Sequence, residues 1–239
     1  MLKKIIVLSS DTLHHRYFIN FLIKNNVLIE SYFFETEHVT PSFPVGPFFE
    51  EDEYCFENEH FFKEIDKRLP QKGIVNTKSI NSQDCVDKIK KINPDLGVVF
   101  GTGKLNKNVI ELFNDGLINV HRGIAQKYRG LDSDLWAIYH NDFKNIGVTI
   151  HQVAPKLDVG NIVYQKKLDI KMDMKIHQLR YYTTLIASDL VLKTLVDYKN
   201  EKFQSTKQEN IGRYYSFMPL DLKLIIEKKF NKYCRSLNE

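Results

Sequence analysis

Cysteine is scarce in this 239-residue sequence: Cys55, Cys85 and Cys234 are scattered and odd in number. None shows the C-x-x-C spacing of a zinc or redox motif, and three cysteines cannot build a disulfide framework. Long apolar runs are missing as well. No stretch approaches the roughly 18 residues of a membrane span, and the apolar start Ile5-Ile6-Val7-Leu8 ends at Ser9-Ser10-Asp11, too early for a signal peptide. A soluble protein in a reducing cytoplasm, with no membrane partner, is the expectation. Charge of one sign is not concentrated either. The formal net charge is only +4, with Lys and Asp/Glu interspersed, so the basic stripe of a nucleic-acid binder is absent. A negatively charged small molecule is the partner class that remains. The dinucleotide fingerprint G-x-G-x-x-G does not follow the first apolar run. His14 and His15 are adjacent, with no Asp, Glu or His cluster around them, so no metal is expected.

What is present is an ordinary globular balance, 43% hydrophobic and 27% charged, on a length suited to one sizeable domain with a modest appendage. Residues 1–200 are expected to form the main domain and 201–239 a C-terminal extension. Residues 4 to 8 read as a strand, His14 to Lys24 as a helix and Val27 to Phe34 as a strand, a βαβ opening that points to a mostly parallel α/β sheet flanked by helices. Pro41, Pro44 and Pro47 make 35 to 50 a surface loop. Helices are expected over Glu51 to Leu69, Ser82 to Lys91 (Ser82 as N-cap), Lys107 to Phe113, Ser133 to His140, Met174 to Tyr198 and Leu220 to Cys234. Further strands fall at Gly73 to Thr77, Asp95 to Phe100, Gly116 to Val120, Gly147 to Val153 and Ile162 to Leu168, and residues 199 to 210 read as a polar linker. Eight of the eleven glycines lie between Gly97 and Gly160, which directs the search for a site to that third of the chain.

That third contains an ordered string: Asn119-Val120-His121-Arg122-Gly123, Tyr128-Arg129-Gly130, Trp136-Ala137, Gly147-Val148-Thr149-Ile150-His151 and Leu157-Asp158-Val159-Gly160. Strand alternation puts Asn119 and His121 on one face at the carboxyl end of their strand, where parallel α/β sheets bind ligands. A carboxamide that donates to an oxyanion beside an imidazole that takes a proton is what acyl transfer to an amine needs. Asp158, in a turn with Gly160, is the candidate to hold the imidazole and stabilise its protonated form.

The string resembles the signature of the folate-dependent formyltransferases, the family that includes glycinamide ribonucleotide formyltransferase, methionyl-tRNA formyltransferase and the sugar-nucleotide N-formyltransferases. The resemblance covers about residues 95 to 166 and departs from the family pattern at Gln126, where Pro is usual. It implies a Rossmann-like formyltransferase fold and catalytic roles for Asn119, His121 and Asp158. It also implies N10-formyl-tetrahydrofolate as formyl donor, its pterin held between Thr102-Gly103-Lys104-Leu105 and a second loop that includes Val153, Ala154, Pro155 and Leu157.

The acceptor implied by the resemblance is a nucleotide-linked amino sugar, of the kind used for lipopolysaccharide O-antigen. Only about forty residues follow Tyr198, against the larger C-terminal domain of the tRNA-acting members, and the aromatic-rich loop at 35 to 62 is extra to the purine enzymes. His15 and Arg16, at the start of the first helix, are candidates to meet a pyrophosphate, which a helix N-terminus favours. Tyr128 and Arg129 are further substrate candidates. Tyr214 and Tyr215 suit stacking on a nucleobase, a contact in a homodimer, or core filling. Two rival readings are a formyl-tetrahydrofolate hydrolase, which would release formate without an acceptor, and a non-catalytic Rossmann-like nucleotide-binding module.

Overall fold

The structure, a computed structural model, describes residues 3–37, 39–200 and 203–237. A seven-stranded sheet with the order β3-β2-β1-β4-β5-β7-β8 forms its centre. The strands are β1 (Ile5–Ser9), β2 (Ser31–Glu35), β3 (Ile74–Thr77), β4 (Leu96–Phe100), β5 (Leu117–His121), β7 (Gly147–Gln152) and β8 (Ile162–Lys167). The first five run parallel, while β7 is antiparallel to both β5 and β8. Strand order reverses between β1 and β4, so the crevice beyond their carboxyl ends is the place where such a sheet takes a ligand. There the hydroxyls of Ser9 and Ser10 donate to the carbonyls of Phe100 (2.7 Å) and Gly101 (2.5 Å), tying the two loops together.

Alternation along the strands feeds two cores. Val7, Val98, Ile118 and Val120 face α1 (Leu13–Lys24) and the long α6 (Leu179–Asn200). Ile6, Leu8, Val99 and Leu117 face α3 (Gln83–Ile92), whose Ser82 cap accepts the Cys85 amide, and α4 (Lys107–Ile110). A third cluster lies beyond the sheet. It joins α5 (Ser133–Tyr139) to α7 (Leu220–Ser236) through Leu135, Ile138, Ile226 and Phe230. A short parallel pair, β6 (Tyr128–Gly130) with β9 (Arg213–Tyr215), completes the join. Residues 203–237 are therefore packed into the same body as the string from Asn119 to Gly160, and residues 201 and 202 of the expected linker lie outside the described residues.

Three helices differ from their sequence pattern: α6 starts at Leu179 rather than Met174, and two others end early. Helix α2 (Glu50–His60) stops well before Leu69. Beyond it the Asp66 carboxylate accepts the Arg68 amide at 2.8 Å, a local bond that competes with helix. Asn20 meanwhile binds the carbonyls of Asp66 and Arg68. Helix α4 ends at Ile110, ahead of the turn in which the Gly116 amide donates to Phe113. Among the described residues no helix is long and apolar enough to cross a membrane.

Candidate active site

Strand β5 delivers Asn119 and His121 to one face, that of Leu117. The antiparallel partner β7 sets His151 opposite Asn119 and Thr149 opposite His121, and directly opposed residues share a face. Asn119 Nδ2 lies 3.1 Å from His151 Nε2, and the same imidazole nitrogen lies 3.2 Å from Asp158 Oδ1. Asp158 Oδ2 is 3.6 Å from His121 Nδ1 and accepts the Gly130 amide at 2.8 Å. A carboxamide, two imidazoles and a carboxylate thus converge. The expected contact from Asp158 to His121 is longer than a good hydrogen bond, and His151 takes the closer position.

The neighbouring carbonyls fix which ring nitrogens carry hydrogen. Tyr128 O lies 2.8 Å from His121 Nε2 and can only accept, so Nε2 is the donor and Nδ1 is the basic nitrogen, facing Asp158. Gln152 O likewise holds a hydrogen on His151 Nδ1, at 2.8 Å. His151 Nε2 is then free to accept from Asn119 when the ring is neutral. The second hydrogen of the Asn119 amide remains for a ligand.

Electrostatics follow burial and pairing. Burial pushes the His121 imidazole below its ordinary value, and the Asp158 carboxylate opposes that shift. For Asp158 burial acts upward, yet the His121 and His151 imidazoles beside it and the Gly130 amide together outweigh it and hold the carboxyl well below the usual carboxylate range. The group is an anion at any physiological pH. Its backbone sits at φ +54°, in the left-handed region that a β-carbon disfavours.

Support for the trio comes from residues that sequence reasoning left without a role. Thr149 donates to Gly123 O at 2.7 Å and accepts from Ala125 N and Gln165 Nε2, so it pins the loop that leads from His121 to Tyr128. Gly123 is required beneath the imidazole, because a β-carbon there would come within 2.6 Å of His121 Nε2. Both Thr149 and His151 were visible in the G-V-T-I-H string. Only the antiparallel register assigns them to the site.

The other candidates are placed as follows. Thr102 to Leu105 leave the end of β4, and Val153 leaves the end of β7. Leu105 and Val153 enter the same apolar cluster as Val99 and Leu117, so the two loops meet on the Asn119 side of the sheet. Ala154 is half-buried, Pro155 exposed and Leu157 half-buried, while the Gly103 amide donates to Glu35 Oε2 at 2.6 Å. His15 is buried, with its ring 4.6 Å from that of Phe100, whereas Arg16 is paired with Asp11 at 2.6 Å near the surface. Tyr128 donates its hydroxyl to Asp142, and Arg129 gives Nε to Gly212 O and Nη1 to Leu157 O. Tyr215 stacks between Trp136 (4.9 Å) and Tyr128 (5.7 Å), leaving Tyr214 exposed beside it. Of these six, Tyr214 is exposed and Arg16 and Tyr215 are half-buried, while His15, Tyr128 and Arg129 are buried. No cluster of three or more His, Cys, Asp or Glu suited to a metal occurs among the described residues.

The chain is similar to known proteins to different extents. A methionyl-tRNA formyltransferase from Finegoldia magna is 31% identical over 149 residues, covering 61% of this chain and 47% of that protein. The chain spans about half the length of the curated relatives it matches. A sugar N-formyltransferase from Shewanella sp FDAARGOS_354 superposes with a TM-score of 0.65 at 16% identity, over 96% of this chain and 88% of that one. The formyltransferase PseJ from Anoxybacillus kamchatkensis superposes at 0.56 and 16% identity, over 89% and 85%; that structure holds UDP-4,6-dideoxy-4-formamido-L-AltNAc and tetrahydrofolate. Residues 51–193 match the family model described as Formyl transferase. With that match spanning more than half of its length and including Asn119, His121, His151 and Asp158, the chain belongs to the formyl transferase family.

Proposed function

We propose that the protein transfers a formyl group from N10-formyl-tetrahydrofolate to the amine of a nucleotide-linked amino sugar. The observation that carries the chemistry is the convergence of the Asn119 amide, the basic Nδ1 of His121 and the Asp158 carboxylate at the rim of one sheet. In this reading the acceptor amine forms a bond to the formyl carbon while the bond from that carbon to the folate nitrogen breaks. The free Nδ2 hydrogen of Asn119 donates to the formyl oxygen as it gains charge. His121 Nδ1 takes the proton that the amine loses and returns it to the departing nitrogen, with Asp158 stabilising the imidazolium in between.

The two loops suit the folate. Leu105 and Val153 present apolar surface on the Asn119 side, and the Ala154 and Pro155 backbone remains reachable for the donor and acceptor edge of a pterin. Thr102, Lys104 and Leu157 complete that cradle, although the Gly103 amide is already engaged by Glu35. When bound, the folate supplies the activated formyl group.

The sugar acceptor is supported by the ligand of the PseJ complex and by the near full-length superposition on sugar N-formyltransferases. Arg16 and Tyr214 are the acceptor contacts in this reading, and the enzyme works as a cytoplasmic homodimer. Methionyl-tRNA is the second reading, favoured by the 31% identity to enzymes of that name. The test is incubation with N10-formyl-tetrahydrofolate and a panel of dTDP- and UDP-linked amino sugars, with Met-tRNA alongside, followed by mass. Gain of one formyl group on a sugar nucleotide is expected. Formylation of Met-tRNA alone overturns the acceptor, and formate release with no formylated product overturns the transfer.

A further inference from the structure

The Asp158 turn is held by a residue that lies fifty positions away and outside the motif. Gln208, in the segment between α6 and β9, is buried and gives both hydrogens of its carboxamide to main-chain carbonyls, that of Asp158 at 2.9 Å and that of Gly160 at 2.8 Å. The two carbonyls flank Val159, so one planar amide grips the turn on both sides. The turn needs a grip. Asp158 is in the left-handed region, and Gly160 runs so close to the Gln152 carbonyl that a β-carbon has no room.

The other half of the carboxamide sharpens the point. Gln208 Oε1 is buried and has no hydrogen-bond partner among the described residues. An unsatisfied buried acceptor is unfavourable, so a side chain present only to fill space would be apolar. A glutamine tolerates that penalty when its two donors do something an apolar group cannot. The segment carrying it is itself anchored on each side: Thr206 and Ile162 exchange two 2.8 Å backbone bonds, and Gln126 Oε1 accepts the amides of Glu209 and Asn210. Beyond the grip, the Asp158 carboxylate faces His121 and His151, and His121 faces Asp134 as well.

We infer that Gln208 is a positioning residue for formyl transfer: from the C-terminal segment it sets the Asp158 turn so that the carboxylate reaches His121 and His151. This rests on the role proposed for Asp158. The test is a cycle of four proteins, the wild type, Gln208→Met, Asp158→Asn and the double variant, read by NMR titration of the His121 ring without ligand. Asp158 draws the His121 pKa upward, so both single variants are expected to lower it, and the double variant to match Asp158→Asn. Turnover with N10-formyl-tetrahydrofolate and the panel acceptor is expected to fall about tenfold in Gln208→Met with KM nearly unchanged, a loss in keeping with a small misplacement of a reacting group. An Asp158→Asn protein whose His121 titrates like wild type overturns the role of Asp158 itself. If Asp158→Asn moves the titration and Gln208→Met does not, or if Gln208→Met moves it equally in the Asp158→Asn background, the positioning role is overturned and that of Asp158 stands. Should Gln208→Met fail to fold, Gln208→Asn keeps both donors on a shorter arm; a lowered His121 pKa supports the inference, and a wild-type titration overturns it.

Discussion

Gln126 Oε1 accepts the backbone amide of Glu209 at 2.9 Å, and that of Asn210 at 3.3 Å, where the family pattern usually has proline. A proline has no side-chain acceptor, so this chain uses the position to fasten its C-terminal segment to the loop that follows His121. Gln126→Ala is expected to lower unfolding free energy by about 1–2 kcal/mol, the range for losing one or two partly exposed hydrogen bonds. Urea denaturation checks it. A variant as stable as wild type leaves the two amides with no structural role in fastening the segment.

Asn119→Ala removes the carboxamide proposed to donate to the formyl oxygen while leaving the backbone pairing of β5 with β7 intact. Turnover is expected to drop roughly 10²–10³-fold, as for other oxyanion donors. Single-turnover transfer measures it directly. A loss below tenfold rejects the donor role.

The pH profile follows from the opposing influences on His121. In the proposed role the imidazole must be neutral to take a proton, and burial lowers its pKa while Asp158 raises it. The acid limb of kcat/KM is therefore expected below the ordinary imidazole value, so activity persists at mildly acidic pH. Asp158→Asn removes the opposing charge, and what activity is left should show its acid limb at still lower pH. An acid limb that rises instead assigns it to another group.

Much of this site was legible before the structure, for identifiable reasons. The spacing of Asn119 and His121 needs only strand alternation, and the parallel sheet follows from the βαβ opening. Three features were not legible. His151 reaches Asn119 only because β7 runs antiparallel to β5, a direction that its six residues do not encode. Strands β6 and β9 have three residues each, too few for any periodicity, and they pair across more than eighty positions. In helix α2 the acidic pattern does not say which carboxylates are buried, and Glu53 and Glu57 are, because Arg180, far along the chain in α6, pairs with both.

Those buried carboxylates lead to a stability measurement. Arg180 binds Glu57 through Nε at 2.7 Å and Glu53 through Nη1 at 2.7 Å, while nearby Arg122 pairs with Asp134 at 2.6 Å. Burial pushes the Glu53 carboxyl up to about 7 even though Arg180 and Arg122 pull it down, with Glu57 and Asp134 adding to the upward push. An unfolded glutamate ionises near 4.5, so between there and about 7 the folded state holds the extra proton. Stability from this group is then present at low pH and lost as pH rises through that window. Glu53→Gln has no proton to lose and still offers Arg180 a carbonyl acceptor. Relative to wild type, the variant is expected to gain stability between pH 5 and pH 7.5, by on the order of 2–3 kcal/mol from the linkage relation. Thermal or urea unfolding at the two pH values reads the difference, and a gap between the proteins that does not change with pH shows Glu53 to be ionised throughout, its pairing with Arg180 outweighing its burial.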